Sequence, residues 1–246
     1  MALSAANVIQ AKTGSASAGT APVALDAGTQ AGSTVTVEIS TNAVPIMDSG
    51  LPGHVPAGFE FDAYSNASGA HYLHAFHKCA VAAGEGVAGS TSWDFSFSPT
   101  TNWSWRATEW DTALDPVSPL ETATSSFDTG TAPAGLSTGT TTQTGRADLV
   151  CLAWHEWVRS SNTAQSMTWS GHTNGFAIRD SLRWTGGTAE FGDCWSWAFP
   201  GAAGAFETTA TINLATRAVN DVYVALLVVY AAVVPVPVSP GAVVVA

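Results

Sequence analysis

Apolar and polar residues alternate at period two along much of the chain, and no long segment carries apolar residues at a 3.6 period. "STVTVEIS" puts Val35, Val37 and Ile39 on one face of a strand and Thr34, Thr36 and Glu38 on the other. "TATINL" does the same with Ala210, Ile212 and Leu214. "DLVCLAWHEWV" and "DVYVALLVVYAAV" are apolar on both faces, the pattern of central strands in a sandwich. Clusters of Gly, Ser, Thr, Asn and Pro separate these runs. Many short strands with turn signals between them predict an all-β fold, a single two-sheet jelly-roll (lectin-like) sandwich.

The pattern also repeats weakly. "AGFEF" around Gly58 returns as "NGFAI" around Gly175, and Phe95 and Phe97 return as Ile212 and Leu214, all at an offset of 117. Each copy opens on an apolar strand, Ser33–Ser40 and then Asp148–Val158, and two interleaved copies are expected to share one sandwich. Residues 1–29 form an extended segment in this scheme, 30–232 the β-sandwich and 233–246 an extended tail. The segments "TGSASAGTAPVALDAGTQAGS" and "SSFDTGTAPAGLSTGTTTQTG" read as surface connections or edge strands.

Composition narrows the function classes. Only 11% of the 246 residues are charged, so Ser, Thr, Asn and Gly must cover the surface, which suits a rigid extracellular or virion protein better than a cytosolic enzyme. The 8 basic residues are scattered among 19 acidic ones, giving a net charge of −11 and no basic patch for nucleic acid. Cys79, Cys151 and Cys194 are too few and too far apart for a disulfide framework or a CxxC metal site, and read as free thiols. "MALSAANVIQAKTG" lacks the basic and apolar regions of a signal peptide. The run "VYVALLVVYAAVV" has 13 residues, too short for a helical membrane span, and Pro235, Pro237 and Pro240 follow it.

The chemistry-bearing motifs are incomplete. "EWDTAL" places Glu109 and Asp111 as in a strand-borne pair of glycosidase carboxylates, but Leu114 stands where a third acid is needed. "HYLHAFHK" spreads His71, His74 and His77 over two faces of a strand, so they read as surface or partly buried histidines rather than metal ligands. "WHEWVR" lacks the second histidine of HExxH and reads as strand packing, with Glu156 or Arg159 reaching an edge. In "FGDCWSWAF", Asp193, Trp195, Trp197 and Phe199 share a face that reads as core. No GxSxG, GxGxxG or P-loop is present. No cofactor, metal or catalytic residue is assigned.

The stretch "TSWDFSFSPTTNWSWRATEWD" reads as a hairpin turning at "SPTTN", with Trp93, Trp103 and Trp105 inside. Trp110 falls in the opposite phase. It is the ring expected at the surface, flanked by Glu109 and Asp111, and the three form the candidate contact for a ligand or partner.

Several segments in order carry a likeness: "GTQAGSTVTVEIS", "VPAGFEFDAYSNASGAHYLHAFHKCAVAAGEG", "WRATEWDTALDPVSP", "TGRADLVCLAWHEW" and "NDVYVALLVVYAA". Over residues 30–232 the chain resembles jelly-roll minor tail and virion structural proteins of tailed bacteriophages, especially those of actinobacteria. The resemblance implies a non-enzymatic virion component, made in the host cytoplasm and partnered by other virion proteins and by copies of itself. It carries over no catalytic residue. Pro235, Val236, Pro237, Val238 and Pro240 are the expected assembly tail, docking by strand addition. The alternatives are a carbohydrate-binding module contacting a host surface glycan, or a capsid decoration or head-fibre protein.

Overall fold

The computed structural model describes residues 3–42, 55–67, 71–111, 114–130, 135–161, 166–216 and 218–233. Among the described residues, a 3-10 turn at Ala5–Asn7 leads into thirteen strands: β1 (Val8–Val23), β2 (Thr34–Asn42), β3 (Glu60–Ala67), β4 (His71–Lys78), β5 (Trp93–Trp110), β6 (Leu120–Thr129), β7 (Gly135–Ser137), β8 (Leu149–Arg159), β9 (Met167–Ser170), β10 (Ala177–Gly186), β11 (Ala189–Ala198), β12 (Thr209–Leu214) and β13 (Asp221–Ala231). All pairings between strands are antiparallel. Among the described residues no helix is long and apolar enough to cross a membrane.

The all-β jelly-roll sandwich read from the alternation is present, and the duplication is visible in its topology. One five-stranded sheet runs β1-β5-β2-β4-β3 and the other β6-β13-β8-β11-β10. Matching strands of the two copies in sequence order gives the same order in both sheets. In the second copy, β7-β12-β9 form a small sheet of their own. First and last strands pair, β6 with β13 and β7 with β12, which is the wrapping of a jelly roll. In the first copy, one long β1 and one long β5 take the place of these four strands. Their register jumps between Ala18 and Thr20, where the β5 partner moves from Thr101 to Ser96. Gly58 and Gly175 both adopt left-handed φ, +84° and +77°, in the turns entering β3 and β10, so the Gly-Phe likeness marks the same turn twice.

Two expectations are corrected. The copies do not interleave, because each builds its own five-stranded sheet and the sheets pack back to back. "SPTTN" is not a hairpin turn: β5 runs through it as one strand, paired with β1 on either side of the register jump.

Alternation then decides three apolar layers. Val35, Val37, Ile39, Phe76, Phe95, Trp103 and Trp105 fill the interior of the first copy. Trp157, Trp169, Cys194, Ile212 and Tyr223 lie inside the second. Trp110, Trp154, Trp195, Trp197, Leu226 and Tyr230 pack between the copies. Ser65 Oγ donates to the Ser126 carbonyl at one rim (3.2 Å), and Asn102 Nδ2 to the Gly186 carbonyl at the other (3.2 Å).

Candidate functional site

The layer between the two sheets is apolar with a charged centre. Period two sends Glu38 and Ser40 of β2, Ser104 and Arg106 of β5, Glu156 of β8 and Asp193 of β11 into it, all buried. Glu38 pairs in register with Arg106, and Glu156 with Asp193. Ser40 Oγ donates to Glu156 Oε1 (2.5 Å). The indole N–H groups of Trp154 and Trp184 donate to the two oxygens of Asp193 (3.2 and 3.3 Å). Glu156 Oε2 has no hydrogen-bond partner among the described residues.

Burial penalises charge here. It pushes Glu38 up to about 7 against the pull of Arg106. Burial also raises Asp193 to about 7, and burial with the facing Asp193 charge holds Glu156 well above the usual carboxylate range. Two facing carboxyls in so dry a place hold a proton at neutral pH. The adjoining cavity, lined by Glu38, Arg106, Trp195, Ser196 and Trp197, measures about 20 Å³, the size of one water molecule.

The candidate contact residues lie elsewhere than expected. Trp110 is fully buried. Its phase is the one the sequence indicates, opposite Trp103 and Trp105, but that face of β5 meets the second copy rather than solvent. Its indole N–H donates to Thr36 Oγ1 (3.1 Å) and its ring packs on Trp197 at 5.4 Å. Glu109 is also fully buried and accepts from Gln10 Nε2 (2.6 Å), Gln30 N (2.7 Å) and Ser33 Oγ (2.7 Å). It ties the segment entering β2 to β1 and β5. Asp111 is half-buried and accepts from Asn7 Nδ2 (3.0 Å). The three residues are joints of the fold, not a surface contact. Pro235, Val236, Pro237, Val238 and Pro240 lie outside the described residues.

The other motifs are likewise deeper than their sequence suggests. Nine of the ten tryptophans are buried, and Trp184 is half-buried and stacked on Phe191 at 4.3 Å. Glu156 and Arg159 reach no edge, since β8 is the middle strand of its sheet. Arg159 instead forms a buried two-point pair with Asp221, at 2.6 and 2.8 Å. All three histidines of "HYLHAFHK" are buried. His74 stacks between Tyr72 and Phe76. Burial lowers His71 and His74 to about 4, so both stay neutral.

Two surface clefts offer more room. One of about 490 Å³ is lined by Asn174, Phe176, Phe199, Phe206 and Glu207 among others. One of about 510 Å³ opens between the copies beside Asn42, His71, Asn102 and Gly187. Among the described residues, Glu207 is the titratable group of the first and His71 that of the second. Among the described residues, no three of His, Cys, Asp or Glu are grouped to hold a metal ion. The buried acids were the part sequence reasoning missed. For Glu156 the signal was present, because a strand apolar on both faces buries whatever acid it carries.

No protein-family model, no curated protein and no solved structure matches the chain.

Proposed function

We propose that the chain is a non-enzymatic structural component of a tailed-phage virion, a minor tail or surface-projecting protein that assembles through sheet edges. The observation that carries this reading is β1. It has 16 residues, pairs on one side with β5, and has no hydrogen-bonded strand on its other side among the described residues. Its single charge, Lys12, is taken up by Asp26 at 2.7 Å. Proteins that stay apart blunt such an edge with charge, proline or brevity; in β1 the proline, Pro22, stands only at the penultimate position, and the long, nearly uncharged run before it is a template for a strand from another chain.

The site geometry fits the same reading. Aromatic and acidic residues are spent on joining two jelly rolls back to back, which makes a stiff block rather than a reaction centre. A tryptophan sugar platform needs indole rings at the surface, and nine of the ten are buried. The virion placement rests on the resemblance to tailed-phage proteins, and localisation tests it. Antibody labelling of purified particles is expected to mark the tail or a surface projection; recovery of the chain in a bacterial cytosolic complex without phage components overturns the reading. The edge is tested by light scattering. Ala11→Lys with Ser17→Lys, at two exposed positions of β1, is expected to leave the fold intact and abolish self-association.

A further inference from the structure

The end of the second copy at which β13 finishes also holds an apolar cleft. The register sets Ala231 of β13 opposite Leu149 of β8, and Ala198 of β11 opposite Cys151 on the other side of the same strand. The two strand ends are two residues apart along β8 and one strand to either side of it, which is roughly 12 Å. Asp115 N donates to the Ala231 carbonyl at 3.0 Å and Ala232 N to the Asp148 carbonyl at 2.8 Å, so the place where the chain leaves the sheet is fixed. Leu149, Phe176, Ala198 and Ala231 belong to one apolar cluster, and Phe206 packs against it.

The cleft of about 490 Å³ begins where β11 stops. Phe176 is buried, while Phe199 and Phe206 are half-buried, and Ala198 and Pro200 add to its apolar lining. Its polar side chains are held by the cleft itself. Glu207 accepts from Thr140 Oγ1 at 2.6 Å, and Asn174 Nδ2 donates to the Glu207 carbonyl at 2.9 Å. Ring surface is what remains for an occupant to pack against.

We propose that this cleft receives the proline–valine segment that follows β13 in the same chain, residues 234–246. The segment reads VPVPVSPGAVVVA and carries no charge, and Pro237 and Pro240 have the PxxP spacing that aromatic-lined grooves accept. Proline packs its ring on an aromatic face and brings no N–H group to satisfy. Reach sets the register. Pro237 stands four residues past Val233, roughly 13 Å of extended chain, which matches the distance to be crossed. The stretch from Pro237 to Pro240 therefore falls at the rings, and Gly241 onward runs past them. A root this close keeps the local concentration of the segment in the millimolar range, so weak ring packing suffices, and it favours the chain's own cleft over a neighbour's. The inference stands apart from the virion reading and leaves assembly to the β1 edge.

The experiment treats the full chain with elastase, which cuts after small apolar residues, and follows cleavage after Val238 by intact mass. A synthetic peptide of residues 234–246 is the reference. Cleavage in the chain is expected to be at least tenfold slower than in the peptide. Phe199→Asp with Phe206→Asp puts charge into the cleft and is expected to raise the rate to that of the peptide, with a melting curve checking that the fold survives. Pro237→Asp with Pro240→Asp acts from the segment's side, beyond the strands, and is expected to be cut as fast as a peptide carrying the same changes. A wild-type chain cut as fast as the peptide overturns the proposal without any variant. Protection that persists in either variant also overturns it, by placing the segment elsewhere. Protection that fades on dilution overturns it too, by placing the segment in the cleft of a neighbouring copy.

Discussion

Glu156 of β8 and Asp193 of β11 stand directly opposite each other across an antiparallel pair, both fully buried. This pair, with Glu38 beside Arg106, is the polar centre of the joint between the two jelly rolls, and it has a consequence for pH. The folded-state values of Glu156, Asp193 and Glu38 all lie above those of an unfolded chain, so the native state binds more protons. Stability from such groups is complete below the unfolded value and is lost as pH rises through the folded one. His77, raised to about 10, acts in the same direction. His71 and His74, lowered to about 4, and His155, lowered to about 3 by burial, act oppositely, and only as pH falls below about 6.5. The melting temperature is therefore expected to fall as pH is raised from 6.5 to 9, by roughly 2–4 °C for each kcal/mol lost. Calorimetry across that range checks it, and a flat or rising curve would refute it.

Glu156→Gln separates the acid from its shape. The amide oxygen can still accept from Ser40, and its N–H group can donate toward Asp193 without a proton being held. The variant is expected to melt at or above the wild-type temperature at pH 8 and to show a shallower decline between pH 6.5 and 9. Melting curves at several pH values decide it.

Arg159 and Asp221 form a buried two-point ion pair at the end of β8 and β13. Removing one partner strands the other charge away from water. Arg159→Ala is expected to cost about 3–5 kcal/mol in denaturant unfolding. Arg159→Leu combined with Asp221→Leu is expected to cost less than Arg159→Ala alone, because no lone buried charge remains.

Trp110→Ala empties the centre of the joint and is expected to cost about 3–5 kcal/mol. Trp110→Phe retains most of the packing and leaves only Thr36 without its indole partner, so its cost is expected to be smaller. Urea titration of both variants tests whether Trp110 is a joint. A surface ring would give almost no change.

Gly14 of β1 lies under the Trp105 ring, and a Cβ there would stand 2.7 Å from it. Gly14→Ala is expected to destabilise the first copy by about 1–3 kcal/mol through this overlap. Trp105→Phe in the same chain is expected to relieve part of the loss, and a double-mutant cycle measures the coupling.

Much of the fold can be read in the sequence. Period-two alternation finds β2 and β12, because side chains on a strand must take opposite faces, and runs apolar on both faces find β8 and β13. The Gly-Phe likeness around residues 58 and 175 finds the duplication, because both turns need a left-handed residue at the same step. Alternation also separates Trp110 from Trp103 and Trp105. What alternation cannot give is the occupant of the far side of a sheet. A face carrying Ser104, Arg106 and Thr108 beside Trp110 has the composition of a solvated surface, and only the packing of a second sheet on it makes it a core. The same packing turns Glu38 and Glu156 from surface or edge acids into proton holders and brings Tyr230 to Asp62, 168 residues away. Local periodicity is set by the backbone and is legible from neighbouring residues. Burial is set by what arrives from the distant copy of the chain, and that was decided by the tertiary structure.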